Sequence, residues 1–266
     1  MSCFVKLQQT TNEKDHFFLI IPIFAKKIMA LILNIETSTE VCSVAIARDG
    51  AVIYSRENIT GQNHARLVTV FIEELLLEAH ISAQQLDAVA VSGGPGSYTG
   101  LRIGVSVAKG LCYASHLPLI AITSLEAMAQ HVIRNCEKFQ SADSGNTLFC
   151  PMIDARRMEV YTAIYNHSGF QVRGIQADII DHESYMPLLE NNRMLFFGNG
   201  ATKCREAITH PNASFIDGII TSSENLVPLA ERDFKLHKFV DVAYYEPFYL
   251  KDFIATIPVK NIFKNA

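Results

Sequence analysis

Between residues 31 and 58 apolar positions run in short blocks separated by turn residues, and the pattern predicts three strands, Leu31–Thr37, Cys42–Arg48 and Ala51–Asn58. Asp49-Gly50 between the last two is a hairpin signal. From Asn63 to Ala79 the period changes to that of a helix. A buried-type strand, Ala88–Ser92, leads through a glycine-rich turn into a second helix, Leu101 to Ser115. Pro118–Ile122 reads as a further strand, and Ser124 as the N-cap of a helix running toward Cys136.

Residues 137–146 (EKFQSADSGN) are polar and turn-rich, and beyond them the first pattern restarts. Ile153-Asp154 stands 118 residues after Ile35-Glu36, Glu159-Val160-Tyr161-Thr162 answers Glu40-Val41-Cys42-Ser43, and Ala163-Ile164 answers Ala45-Ile46. Strands are expected at Leu148–Ile153, Val160–Tyr165, Phe170–Ala177 and Met194–Phe197, with helices in Asp181–Asn191, Thr202–Ile208 and Ser222–Lys235. The expected fold class is therefore α/β, two tandem lobes with mixed sheets of the actin/Hsp70 (RNase H-like) architecture. The lobes are drawn at 29–136, which carries the candidate partner-binding helices, and 147–266.

Ahead of the first strand, Phe17–Phe24 (FFLIIPIF) is apolar but too short to span a bilayer as a helix, and its flank mixes Lys6, Glu13, Lys14 and Asp15. Met29 directly precedes ALILNIET, so translation is expected to start there, with residues 1–28 a mis-assigned extension. The whole chain has 266 residues, a net charge of -4 and a pI near 6.1. No global positive field draws it to nucleic acid. Six scattered cysteines form no metal or disulfide spacing and fit reduced thiols in a cytoplasmic protein.

Three segments could carry chemistry. Ser92–Arg102 (SGGPGSYTGLR), with Gly94 and Gly96, follows a strand and opens a helix, so its amides could cradle an anion; equally, it is a tight turn in which glycine permits close packing. It is neither a Walker A loop nor a GxGxxG fingerprint. Glu36 and Asp154 end matching strands, where nucleotide-using proteins of this architecture place metal–phosphate carboxylates, with Ser38 and Thr39 as phosphate donors. The plainer reading is that these groups satisfy turn amides. Third, on the helix from Asn63, Val68, Phe71, Ile72, Leu75, Leu76 and Ala79 make the face that packs on the sheet. Val70 and Leu77 form a second stripe between Glu73 and Glu74. Gly104, Ser106, Ala108 and Gly110 on the next helix would admit a helix at close range, so both helices are expected to meet a partner.

Five stretches together resemble the bacterial TsaB family, the dimerisation subunit for threonylcarbamoyl-adenosine synthesis in tRNA. They are ILNIETSTEVCSVAI (32–46), SGGPGSYTGLRIGVSVAKGL (92–111), MIDARRMEVYTAIY (152–165), FFGNG (196–200) and EPFYLKD (246–252). The resemblance implies a subunit without a catalytic centre or resident cofactor that pairs with the related TsaD through the helices of the first lobe. It further implies self-association through the same surface, recruitment of the ATPase TsaE, and tRNA contact mainly through TsaD. TsaD holds its metal partly through the two histidines of an HMEGH motif; here Ser124 and Met128 stand in those places. Weak nucleotide binding at Glu36, Ser38, Thr39, Gly94, Gly96 and Asp154 stays open. The alternative is an independent kinase or ATPase of the same architecture, and a metalloprotease reading finds no HExxH or GxSxG motif.

Overall fold

Leu31–Glu36 (β1) is buried along its whole length, as a strand covered on both faces must be. Its odd-numbered side chains, Leu31, Leu33 and Ile35, enter one apolar cluster, and Ile32 on the opposite face enters another. The computed structural model describes residues 30–61, 63–139 and 146–251; Phe17–Phe24 and the expected start at Met29 lie outside the described residues.

β1 pairs antiparallel with β2 (Cys42–Arg48), which pairs antiparallel with β3 (Ala51–Asn58). On its other side β1 runs parallel to β4 (Ala88–Ser92), and β4 to β5 (Leu119–Ile122), giving the order β3-β2-β1-β4-β5. The second sheet holds β6 (Thr147–Asp154), β7 (Glu159–Asn166), β8 (Gln171–Ile179), β9 (Arg193–Phe197) and β10 (Ala213–Ile216). Its order is β10-β9-β6-β7-β8, the same arrangement with β6 in the place of β1. Glu36 and Asp154, paired by the sequence repeat, are the last residues of these two equivalent strands. The fold is α/β, with two tandem actin-like lobes.

Helices α1 (His64–Glu78) and α2 (Tyr98–Ser115) cover one face of the first sheet. α2 begins a turn earlier than its apolar pattern suggests, because the Ser97 hydroxyl accepts from the Gly100 amide at 3.3 Å and caps it. The cap of α3 (Ser124–Arg134) is Thr123, whose hydroxyl accepts from Glu126 N at 3.3 Å. Ser124, expected to be that cap, lies inside the helix with its hydroxyl 2.7 Å from that of Ser92.

The helices do not respect a cut at 137–146. Leu125, Met128, Ala129 and Val132 of α3 pack with Phe149, Ile153 and Phe197 of the second sheet. From the far end of the chain, α5 (Ser223–Lys235) returns to the first sheet, where Leu226, Leu229 and Ala230 meet Ile32, Ala88, Ala90, Ile120 and Ile122. Small alanines at 88 and 90 make room for it. In the second lobe the expected helix at 181–191 is only α4 (Met186–Leu189). Asp181 and Ser184 form a hydrogen-bonded turn, and Tyr185 takes a left-handed φ of 65° just before it. The segment 202–208 shortens to a 3-10 turn at Thr202–Cys204, and β10 had no expected counterpart.

Candidate functional site

The residues expected to meet a phosphate turn inward. Thr37 and Ser38 have no exposed surface and Thr39 almost none. Thr37 Oγ1 donates to Gly100 O (2.8 Å), and Thr39 Oγ1 lies 2.6 Å from Thr221 Oγ1. The glycine turn closes directly on this segment, with Ser97 N donating to Ser38 O at 2.6 Å. A β-carbon at Gly96 would collide with the Ser38 carbonyl, and one at Gly100 with the Thr37 carbonyl. Of the two expected loop glycines, Gly94 uses glycine's backbone freedom (φ 102°), whereas Gly96 is required by close approach. Close packing against the Thr37–Ser38 backbone thus accounts for glycine at 96 and 100.

Glu36 is 0% exposed. Its Oε1 accepts from Ser38 N at 2.6 Å, while Oε2 and the nearby Ser38 hydroxyl have no partner within hydrogen-bonding distance. Burial raises its pKa above the usual 4.5, against the lowering influence of Ser38, Ser92 and Thr37. Burial, with Glu36 nearby, also pushes the Cys42 thiol up to about 11. Asp154 has the opposite setting: half exposed, it pairs with Lys203 and accepts from Arg156 N at 2.8 Å. Asn199 ties the two hairpin ends together, accepting from Asp154 N (3.0 Å) and donating to Glu40 Oε2 (2.7 Å). The structure therefore brings Ser38, Thr39, Gly96 and Glu36 together as a packed interior and leaves Asp154 outside it.

The chain's later residues seal the same turn. Val240 N donates to Leu119 O, Lys109 Nζ reaches Ala243 O and Tyr245 O, and Phe248 N donates to Gly93 O at 2.8 Å. A side chain at Gly93 would meet the Tyr245 hydroxyl. Phe248 of the EPFYLKD motif thus covers the glycine turn.

An open site lies on the outer face of α1 and α2. Thr69, Ile72, Glu73, Leu76, Leu77, Ile81, Val107 and Leu111 line a groove of about 330 Å³. Leu77 is 68% exposed, and Val70 is half-buried and outside the groove. Glu73 borders the groove, whereas Glu74 and Glu78 are held by Arg56 at 3.5 and 2.6 Å. Two expected interface residues are corrected. Gly104 and Ala108 are buried toward the sheet, and a β-carbon at 104 would strike the Thr37 hydroxyl. They bring α2 onto its own sheet and present nothing to a partner. The residues missed were Val107 and Leu111, whose i, i+4 spacing on the other face of α2 was the available signal. Tyr113, 81% exposed, lies outside the groove.

A family model for TsaD, tRNA N6-adenosine threonylcarbamoyltransferase, matches residues 52–259. The tRNA threonylcarbamoyladenosine biosynthesis protein TsaB of Escherichia coli (strain K12) is 31% identical over 232 residues, 84% of this chain and 96% of the relative. The chain belongs to the TsaB family. The Haemophilus influenzae protein of the same name is 29% identical over 83% of this chain and 93% of its own. A solved structure, YeaZ from Pseudomonas aeruginosa, superposes with a TM-score of 0.70 at 27% identity, covering 84% of this chain and all of that one. The tRNA N6-adenosine threonylcarbamoyltransferase of Streptococcus suis (strain 05ZYH33) is 35% identical over 125 residues, 40% of this chain and 37% of its own. In this TsaB-family chain the Ser124 hydroxyl is bonded to that of Ser92, and Met128 is 1% exposed in the core.

Proposed function

We propose that this chain is a non-catalytic docking subunit in threonylcarbamoylation of the tRNA adenosine beside the anticodon, pairing with TsaD through the α1–α2 groove. The observation that carries the reading is an apolar groove between two helices that also build the lobe's core, with Leu77 exposed at the groove. Leu77, 68% exposed, stands beside Leu76, Ile81, Val107 and Leu111 along this groove. Ser124 and Met128 offer a divalent metal neither imidazole, and Glu36, Ser38 and Thr39 are spent on internal packing. Nucleotide binding by the isolated chain is accordingly expected to be weak or nil. The same groove accounts for self-association when TsaD is absent, and TsaE joins the pair. On this reading the chain works in the cytoplasm, and tRNA is held mainly by TsaD. Among the described residues no helix is long and apolar enough to cross a membrane.

The test is co-purification with the same organism's TsaD and TsaE, followed by a tRNA modification assay with each component omitted in turn. Modification that requires this chain and TsaD together supports the reading. Modification by this chain alone, or tight ATP binding with turnover by it, favours the independent-enzyme alternative.

A further inference from the structure

Arg156 and Arg157, in the turn between β6 and β7, both hold left-handed backbone conformations, φ 71° and 50°. Asparagine and glycine take that region readily and arginine rarely. Nothing in the fold asks for arginine there: both side chains are exposed, and neither has an ion pair among the described residues. A strained turn that presents two adjacent unpaired guanidinium groups points to a use for them.

The turn adjoins a track of aromatic rings and cations that crosses from one lobe to the other. The turn closes the β6–β7 hairpin, in which Tyr161 pairs with Ile153. Lys251 Nζ sits 5.9 Å above the Tyr161 ring, the Tyr249 and Tyr98 rings lie 4.8 Å apart at a 39° tilt, and Arg102 lies 5.4 Å over Tyr98. The acidic groups alongside are largely neutralised, Glu159 by Lys251 and Asp154 by Lys203, with Glu246 at the rim. Half-exposed rings alternating with cations suit a single strand, whose bases stack on aromatic faces while its phosphates meet arginine. The chain's overall charge of -4 makes such binding local to this strip.

We propose that the Arg156–Arg157 turn and the track running from Tyr161 through Tyr249 to Arg102 bind single-stranded RNA. The choice of RNA among polyanions rests on the tRNA-linked function proposed above. An acidic protein segment would use the arginines but gain little from the row of rings.

The experiment is fluorescence anisotropy of a short labelled oligouridylate at low salt with the full chain, alone and mixed with TsaD, using Arg156→Asn/Arg157→Gly. Asparagine and glycine suit the left-handed turn, so the variant should melt at the wild-type temperature or above and still pair with TsaD. It should bind the oligonucleotide at least tenfold more weakly. Loss of two phosphate contacts should also flatten the slope of log affinity against log salt by about 1.4. Should that variant fold poorly, Arg102→Ala on the exposed side of α2 reads the other end of the track and should weaken binding several-fold. No binding by the wild-type chain in either setting, unchanged affinity in the variants, or equal competition by polyglutamate overturns the proposal. Failure of the wild type to pair with TsaD counts instead against the docking function.

Discussion

Glu36 carries two carboxylate oxygens into the interior, and the protein satisfies one of them. The folded state holds the proton of this group more tightly than the unfolded chain does, because burial raises its pKa above 4.5. Ionisation therefore weakens the fold. Stability should be fully retained below the unfolded value and fall as pH rises from there through the folded pKa. Glu36→Gln keeps an acceptor for Ser38 N and removes the charge. Its melting temperature should vary less with pH over this window and exceed that of the wild type at alkaline pH; parallel curves would contradict the burial argument. At Gly96 the prediction is steric. A valine there must push back the Ser38 carbonyl, which costs at least the ~1–3 kcal/mol of an overpacked core. At roughly 2–4 °C per kcal/mol for a domain of this size, calorimetry should show Tm falling by several degrees. A fully stable variant that had lost nucleotide binding would restore the anion reading of the loop. The sequence made Ser38 and Gly96 visible as special residues. It did not show that they press on one another, because 58 positions separate them and local spacing carries no record of the contact.

At the scale of elements, period and punctuation located most strands and helices, and Asp49-Gly50 placed the first hairpin turn. Legibility failed where side chains gave a different signal from the backbone. Within the segment 181–191, expected to be helical, Asp181 and Ser184 instead form a closed turn, and β10 is four residues of half-buried edge strand. The exchange of α3 and α5 between lobes was hidden for another reason. Amphipathic faces show that a helix packs, and the sheet it packs on is chosen by chain path and by the small residues Ala88 and Ala90. The consequence is measurable. Leu229→Ala, far along the chain, should lower stability by about 2–5 kcal/mol by opening a cavity against the first sheet. Amide exchange should speed up in β1, β4 and β5 more than in β6–β9. Loosening confined to the second sheet would contradict this account of α5.

For the whole molecule, two lobes of matching strand order keep their hairpin ends in contact through Asn199 and are spanned by the segment from Val240 to Lys251. That arrangement buries the segment Thr37–Thr39 and leaves an apolar groove open on α1 and α2. Leu77 was legible as part of that face because it falls outside the core stripe of its helix; Gly104 and Ala108 were misread because small residues serve a sheet beneath as well as a helix above. The central claim is that this groove is where TsaD docks. Leu77→Glu leaves the new carboxylate in water in the free chain, so its Tm should match the wild type. Docking must desolvate that charge beside Glu73, and a loss of about 3 kcal/mol weakens pairing more than a hundredfold. The most direct measurement is size-exclusion chromatography of the variant with TsaD, alongside its thermal unfolding. A wild-type melting temperature with loss of the complex is the predicted result; an intact complex, or a variant that unfolds, would contradict the docking role assigned to Leu77 and the groove.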